Sequence, residues 1–310
     1  MKPRLVIATR GSKLALAQSR WVKERLESLE PGLVVELRTV VTSGDRIQNV
    51  PLAKVGGKGL FVKEIEEAIL AGEAHLAVHS VKDMPTLLPE GLTLASIPAR
   101  ADRRDALVSR DGLALGRLPA GAKIGTSSLR RKALLLSFRP DLEVISLRGN
   151  VDTRLRKMEE GQVEAVVLAA AGLSRLGLTG RITEVLDPEL MVPAVGQGAL
   201  GLECGRDDPY TLSLLERLGD PRAMTEVRAE RAFLARLEGG CQVPIACRTE
   251  LRGESLFVEG LVAAEEGRPL IRAKRTGQAT EAADLGREAA EEVLAKGGRE
   301  ILEEIYGRQG

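Results

Sequence analysis

Three short segments place arginines beside hydroxyl or amide side chains, each between a strand-like run and a helical pattern. They are IATRGSKLA, with Arg10 and Ser12; KIGTSSLRRK, with Thr126, Ser128, Arg130 and Arg131; and ISLRGNVDTRLRK, with Arg148, Asn150 and Arg154. Free backbone N–H groups and the helix dipole favour an anion at a helix N-terminus, and arginine adds a bidentate clamp. Ordinary helix capping explains any one of these segments. Because all three lie at the carboxyl ends of strands, where open α/β sheets bind ligands, together they predict a polyanionic ligand held between two α/β domains.

A fourth segment, AVHSVKDMPT, ends a strand-like run with Lys82 and Asp83. A carboxylate that faces an arginine-rich cleft is a candidate catalytic group, but an aspartate here is equally typical of a turn before Met84 and Pro85. His79, in the apolar part of the run, is expected to be buried rather than to bind a metal. Since the chain has only two histidines, a site with several histidine ligands is excluded.

The segment EGGCQVPIA places Cys241 directly after two glycines, which expose their neighbours and let a backbone approach closely. Such a cysteine is a candidate nucleophile or attachment site, whereas Cys204 and Cys247 are expected to be small buried side chains. A second glycine-rich stretch, residues 41–59, shows no hydrophobic periodicity and is predicted to be a functional or mobile loop. Its lysines either reach an anion or are solvated loop charges.

Composition and charge exclude several classes of protein. The 310-residue chain has a net charge of +1, yet residues 100–181 contain 16 basic and 9 acidic side chains, whereas residues 182–220 contain 2 and 8. Aromatic residues make up 2% of the chain, which argues against a nucleic-acid surface built on base stacking. The absence of GxxxxGK[ST] and GxSxG disfavours nucleotide binding and serine hydrolysis. The sequence has no apolar run of about 18 residues and no secretory signal, and its three cysteines indicate a reducing cytosol.

The elements that must position these side chains follow a regular order. Short apolar runs alternate with helical patterns in the first part of the chain, and the rhythm restarts near residue 105. This alternation predicts parallel, doubly wound α/β units. A stretch rich in proline and glycine interrupts it over residues 182–209. A long helical pattern, two strand-like runs and a helical tail then predict a small α+β domain.

Taken together, the segments resemble the porphobilinogen deaminases, also called hydroxymethylbilane synthases. The matching stretches follow the family order from residue 6 to about residue 247: IATRGSKLALAQS, VTSGDRIQNVPLAKVGGKGLFVKEIEEAIL, LAVHSVKDMPT, IGTSSLRRKALL, LRGNVDTRLRKM, AAAGLSRLGL, VPAVGQGALGLEC and EGGCQVPIA. The resemblance implies two doubly wound, periplasmic-binding-protein-like α/β domains plus a small C-terminal α+β domain. The implied bounds are 1–98 with 199–217, 104–192 and 221–310, with hinges near 99–103 and 193–198.

The resemblance further implies a transferase that joins four porphobilinogen molecules, releases ammonia each time and makes the linear tetrapyrrole hydroxymethylbilane. The chain would grow on a dipyrromethane cofactor attached through a thioether to Cys241. Asp83 matches the family's catalytic acid. A fixed carboxylate there would hydrogen-bond pyrrole N–H groups and stabilise the cations that form when ammonia leaves and when the next ring attacks.

Each pyrrole carries an acetate and a propionate, so the resemblance also assigns side chains that hold carboxylates. For the cofactor it assigns Ser12, Lys82, Asp83, Thr126, Ser128, Arg130, Arg131, Arg148 and Arg154; for the substrate Arg10, Ser12, Arg148, Arg154 and Arg175; and for a lid Lys54, Lys58 and Phe61. It implies a cytoplasmic monomer whose partner is porphobilinogen, with no nucleic acid, membrane or metal ion. The alternative is a two-domain anion- or carboxylate-binding protein of the solute-binding type without catalysis, which needs neither Cys241 nor an acid at position 83.

Overall fold

A computed structural model describes residues 3–46, 59, 61–239 and 243–307 of the chain. The described residues divide into two compact units. The first contains residues of 3–101 and 199–224, and the second contains residues of 102–198 and 225–307. In the described part of the chain, no helix is both long enough and apolar enough to cross a membrane.

The first unit is built on a five-stranded sheet. Its strands are β1 (Arg4–Arg10), β2 (Val34–Val40), β3 (Leu76–Ser80), β4 (Leu92–Ser96) and β10 (Leu200–Gly205), and its helices are α1 (Lys13–Leu29), α2 (Ser43–Arg46), α3 (Lys63–Leu70) and α7 (Pro209–Glu216). The strand order is β2-β1-β3-β10-β4. The neighbours β2, β1 and β3 run parallel, whereas β10 is antiparallel to both β3 and β4.

The second unit contains a sheet of the same kind. Its strands are β5 (Asp105–Ser109), β6 (Lys123–Gly125), β7 (Glu143–Ile145), β8 (Ala165–Ala169) and β9 (Glu184–Val185), and its helices are α4 (Leu129–Phe138), α5 (Val151–Glu159) and α6 (Ala170–Arg175). The order is β7-β6-β8-β5-β9, with β5 antiparallel to β8 and β9. Each sheet therefore has three parallel strands, then a strand antiparallel to them, then an edge strand.

The sequence pattern explains how each sheet is covered. Strands β3 and β8 are apolar almost throughout and are buried, as expected for parallel strands with helices on both faces. In the first unit, Val22 and Leu26 of α1 pack with Ile7, Leu76 and Leu202 from three strands. Burial of such side chains contributes about 1.5–3 kcal/mol each. The helices are consequently held on the sheet with their N-termini at the carboxyl ends of the parallel strands.

The rest of the second unit is a three-stranded antiparallel sheet with helices on it. The strands are β11 (Ile245–Arg252), β12 (Ser255–Ala263) and β13 (Leu270–Gln278), and the helices are α8 (Pro221–Arg236, which belongs to this unit from Thr225 on), α9 (Ala282–Val293) and α10 (Arg299–Gly307). Phe233 of α8 is fully buried and lies over Gly260, where a Cβ atom would come within 2.1 Å of its ring. Only glycine therefore admits the ring at this point of the sheet.

The predicted fold class is confirmed, since the chain forms two doubly wound α/β sheets and a small C-terminal sheet with helices. The predicted number of C-terminal strands was wrong. Strand β11, IACRTELR, was missed although it is no more charged than LIRAKRTGQ, which was predicted. Strand β10 was also missed, because it lies in the stretch rich in proline and glycine. The predicted domain and hinge bounds stay predictions.

Candidate active site

In the first unit, the ends of two neighbouring parallel strands form a small pocket. Arg10 is the last residue of β1, and Asp83 closes a single turn of 3-10 helix, Val81–Asp83, that follows β3. The pocket has a volume of about 60 Å³. Its lining residues are Arg10, Ser12, Leu14, Ala15, Gln18, Phe61, Val62, Ile65, Val78, His79, Ser80 and Asp83.

Arg10 is held from two sides. Its Nε lies 3.2 Å from both carboxylate oxygens of Asp45, and its Nη2 lies 2.5 Å from Oδ1. Its guanidinium lies 4.3 Å from the centre of the Phe61 ring. Burial acts to raise the pKa of Asp45, but hydrogen bonds from Arg10 and Thr42 outweigh it and hold that pKa below its usual value. The pair fixes the orientation of Arg10 and leaves Nη1 without a partner among the described residues.

Phe61 reaches this position because of a glycine. A Cβ atom at Gly44 would lie 2.2 Å from the Phe61 ring, so any larger residue there would push the ring away from Arg10. Gly44 belongs to α2, the same short helix that carries Asp45. The helix therefore controls both contacts of Arg10.

Ser12 and Asp83 face the pocket through local turn structure. Ser12 caps α1, and its Oγ accepts a hydrogen bond of 3.2 Å from the backbone N–H of Ala15. Beside them, the Gln18 amide donates to the Ser80 Oγ at 3.1 Å and ties α1 to the end of β3. Asp83 is exposed and Lys82 is half-buried. The pocket thus combines a guanidinium, a helix N-terminus and an accessible carboxylate.

In the second unit, the two arginines of KIGTSSLRRK lie in the interior. Arg130 and Arg131 are 4% and 5% exposed, and the fully buried carboxylate of Asp105 lies between them. Arg130 Nη1 lies 2.8 Å from Asp105 Oδ2, and Arg131 Nη2 lies 2.7 Å from Oδ1. Burial acts to raise the pKa of Asp105, but the two guanidinium charges hold it far below its usual value.

This cluster has an uncompensated charge. One carboxylate faces two guanidiniums, so the three side chains carry a net charge of +1. The remaining nitrogens of Arg131 are largely used, since its Nη1 donates to the carbonyl of Val167 at 3.0 Å. In contrast, Arg130 Nε is buried and has no hydrogen-bond partner in the described part of the chain. A buried N–H without a partner is costly, and an anionic ligand would satisfy it.

The other predicted residues of this unit lie at the N-termini of α4 and α5. Ser128 caps α4 by accepting from Arg131 N–H at 3.4 Å, and Thr126 Oγ1 accepts from Ser128 N–H at 3.2 Å. The prediction of a side-chain cap at Asn150 was wrong, because Asn150 occupies the N-cap position of α5 without such a hydrogen bond. Its backbone is extended there, and the side chain does not turn toward the first turn of the helix.

Two further arginines rest against backbone carbonyls. Arg154 Nε donates to the carbonyl of Gly149 at 2.8 Å, which holds the side chain beside the start of α5. Arg148, half-buried, precedes that turn. Arg175, at the end of α6, donates from Nη2 to the carbonyl of Gly198 at 2.7 Å, and burial lowers its pKa to about 10.

Three of the predicted site residues, Cys241, Lys54 and Lys58, lie outside the described residues. Sequence reasoning in turn missed the acidic partners of the arginines, Asp45 and Asp105, and a buried group formed by His79, Glu203 and Glu66. The signal for these was a charged residue within an otherwise apolar run, as in ALGLEC and DALVS.

Comparison with known proteins identifies the family. Two family models match the chain: the dipyrromethane cofactor binding domain of porphobilinogen deaminase over residues 5–213, and the C-terminal domain of porphobilinogen deaminase over residues 224–295. The class is therefore that of the cofactor-carrying transferases of tetrapyrrole synthesis. The chain belongs to the porphobilinogen deaminase family.

Curated relatives agree over their whole length. The porphobilinogen deaminase of Pelobacter propionicus is 54% identical over 310 residues, which is 100% of both chains. That of Syntrophotalea carbinolica is 55% identical over 298 residues, or 96% of this chain and 95% of the relative. Among solved structures, the methionine binding protein MetQ is 13% identical with a TM-score of 0.46, covering 75% of this chain and 94% of MetQ, a similarity too low to support an argument.

The family match confirms the predicted activity. The chain is a transferase of tetrapyrrole biosynthesis that converts four porphobilinogen molecules into hydroxymethylbilane with release of ammonia, using a dipyrromethane cofactor. The described side chains fit such a group. Its pyrroles bear carboxylates, and the structure offers guanidiniums, two side-chain-capped helix N-termini and the unpartnered N–H of Arg130.

Proposed function

We propose that the pocket at the ends of β1 and β3 is where the reaction takes place, with Asp83 as its catalytic carboxylate. The observation that supports this proposal is that Arg10, Ser12 and Asp83 line one pocket although they come from two different strand ends. We also propose Cys241 as the attachment residue of the cofactor, on the strength of its Gly-Gly-Cys context and its match to the family's segment.

Asp83 would act electrostatically. Loss of ammonia from porphobilinogen leaves positive charge shared with the pyrrole nitrogen, and a carboxylate that accepts from that N–H stabilises it. Preorganised stabilisation of this kind is worth roughly 3–4 kcal/mol per group. Bound dipyrromethane supplies the terminal ring to which each new unit is joined. Asp83 is suited to stabilising this positive charge because it is exposed at the pocket rather than paired inside the protein.

The basic side chains would hold carboxylates. We propose that Arg10 binds substrate through its free Nη1, while Asp45 and Phe61 keep its plane fixed. Ser12 lines the same pocket, and Lys82, the neighbour of Asp83 in the chain, is proposed to bind the cofactor. Phe61 is proposed as the covering residue of the pocket, and Lys54 and Lys58 keep their predicted lid role only as a proposal.

In the second unit, the family match supports carboxylate binding at the N-termini of α4 and α5. The residues proposed for cofactor and substrate there are Thr126, Ser128, Arg130, Arg131, Arg148, Arg154 and Arg175. Because Asp105 compensates one of the two buried guanidiniums, Arg130 and Arg131 together would hold one carboxylate rather than two. A monomer that works in the cytoplasm on a small-molecule substrate alone completes the proposal.

Intact mass and turnover test this proposal. The purified chain is expected to weigh more than its sequence by one dipyrromethane, and Cys241→Ser is expected to lose that mass. Asp83→Asn is expected to keep the adduct while ammonia release falls at least about 100-fold. The matched control is Asp111→Asn, which changes an exposed aspartate and is expected to retain both. Near-normal turnover by Asp83→Asn would remove Asp83 from the mechanism, and carboxylate binding without ammonia release would favour the solute-binding alternative.

A further inference from the structure

Three buried ionisable side chains lie under the pocket and have no role in the proposal above. His79 is on β3, Glu203 on β10 and Glu66 on α3, and they are 5%, 0% and 6% exposed. His79 also lines the pocket that contains Asp83. Ionisable groups this deeply buried are expensive unless they are paired. Their burial beside the pocket calls for an explanation.

A hydrogen bond joins two of the three, and the third acts on them electrostatically. His79 Nε2 lies 2.8 Å from Glu203 Oε2, so a proton on Nε2 would be donated to that carboxylate. The other oxygen of Glu203 and Oε1 of Glu66 are both buried and lack a hydrogen-bond partner among the described residues. The negative charge of Glu203 acts on Glu66, so the two buried carboxyls are coupled electrostatically.

The electrostatics agree with that arrangement. Burial, together with the negative charge of Glu203, raises the pKa of Glu66 to about 7. The charged groups that face Glu66 are Glu203 from β10, His79 from β3 and Glu67 on its own helix, and His79 acts in the opposite direction to the two carboxylates. Glu66 is therefore largely protonated below neutral pH.

The chemistry of the established reaction requires a proton acceptor. The amine of porphobilinogen is protonated near neutral pH and leaves as ammonia with the electrons of the C–N bond. The α-carbon of the terminal ring attacks the methylene carbon from which ammonia has left. When the new C–C bond has formed, this attacking α-carbon still carries its hydrogen, and the C–H electrons must return to its ring as a proton departs. Asp83, engaged with pyrrole N–H groups, is not free to take that proton at each step.

We propose that His79 is a second proton-transfer group of the pocket, oriented by Glu203 and coupled through it to the buried carboxyl of Glu66. In each cycle the imidazole Nδ1 accepts the proton from the α-carbon and then releases it to water, so the chain returns to its starting state with no other reactant. An acid-oriented imidazole is a common proton acceptor in enzymes. The inference rests on the proposed function of this pocket.

The test uses His79→Gln and porphobilinogen deuterated at its free α-position. Gln keeps an N–H for Glu203 but cannot take a proton. Turnover is expected to fall at least about 100-fold, with the dipyrromethane mass retained. A primary deuterium isotope effect is expected to appear or to grow, because proton removal becomes rate-limiting, whereas a merely structural role would slow the protonated and deuterated substrates equally. Turnover within threefold of wild type, or a large loss with an unchanged isotope effect, would overturn the proposal.

A second variant covers the case in which His79→Gln does not fold. Glu66→Gln imitates the protonated carboxyl at every pH and introduces no new charge. Wild-type turnover is expected to rise with pH through about 7, because ionisation of Glu66 adds negative charge near the imidazole that must take up a proton, and Glu66→Gln is expected to lose that rise. Glu24→Gln, which changes an exposed glutamate of α1 in the same unit, is the matched control and is expected to keep it. A Glu66→Gln profile identical to wild type overturns the coupling. If instead the wild-type chain carries no adduct or releases no ammonia, it is the proposed function that fails.

Discussion

The buried carboxyl of Glu66 makes the free energy of unfolding of the first unit depend on pH. Replacing it with the isosteric amide, Glu66→Gln, is expected to remove this dependence. The carboxyl is 6% exposed and its pKa is raised from 4.5 to about 7, mainly by burial and then by Glu203. Below pH 4.5 the group is protonated in the folded and unfolded chains alike, and its contribution to stability is complete. Between pH 4.5 and 7 only the unfolded chain ionises, so stability is lost over that interval and stays low above it.

The magnitude follows from the difference between the two pKa values. At about 1.4 kcal/mol for each pH unit, the loss is about 3 kcal/mol by pH 8. Glu66→Gln has no proton to lose. The variant is therefore expected to match wild type near pH 4.5 and to exceed it by about 3 kcal/mol in free energy of unfolding at pH 8.

Urea unfolding at several pH values between 4.5 and 8 measures this difference. The only tryptophan of the chain, Trp21, lies in α1 of the same unit, so its fluorescence reports on the unfolding of the sheet that contains Glu66. Glu24→Gln, which changes an exposed glutamate of α1, is expected to follow the wild-type curve at every pH. A constant offset between Glu66→Gln and wild type across this range would refute the reasoning, because it would mean that the carboxyl does not change its ionisation between the two states.

Three other substitutions test the packing and charge described above. Asp105→Asn removes the carboxylate between two buried guanidiniums and is expected to destabilise the protein by about 3–5 kcal/mol in urea unfolding, whereas Asp141→Asn, on the surface, is expected to leave the midpoint near wild type. Gly260→Ala forces a methyl group against Phe233 and is expected to cost about 1–3 kcal/mol, while Gly116→Ala, which meets nothing within 4 Å, serves as its control. Ser12→Ala removes the cap of α1 and is expected to cost about 1 kcal/mol and to weaken substrate binding, measured as a rise in KM; an unchanged KM would separate the cap from the binding site.

Local sequence patterns predicted the helices and strands whose bounds are set by neighbouring residues in the chain. The strand Val34–Val40 and the helix Leu129–Phe138 have the bounds that their periodicity and the capping serine indicate. Strand β10 gave no such signal, because its partners β3 and β4 lie more than 100 residues earlier in the chain. This strand is defined by its pairing with residues far away in the sequence, and a local sequence pattern does not reveal such pairing.

The same distinction applies to the site. Arg10, Ser12 and Asp83 were predicted because chemistry at the carboxyl ends of parallel strands follows from topology alone. The partners that orient or compensate them were not: Asp45 is 35 residues from Arg10, and Glu203 is 124 residues from His79. Such partners decide whether an arginine is available to a ligand. The sequence suggests that Arg130 and Arg131 are both available, but in the fold the single carboxylate of Asp105 neutralises one of their two positive charges.

The position of β10 also determines the order in which the protein can be completed during synthesis. All five strands of the second sheet lie between residues 105 and 185, so that sheet has every strand it needs before β10 leaves the ribosome. The first sheet begins at residue 4 but needs residues 200–205 between β3 and β4. Until then, β3 and β4 have open edges toward each other and His79 has no carboxylate to pair with. The first sheet, although its translation begins first, thus acquires its native strand pairing only after the second sheet has all of its strands, and a nascent chain arrested before residue 200 would present two unpaired strand edges to chaperones.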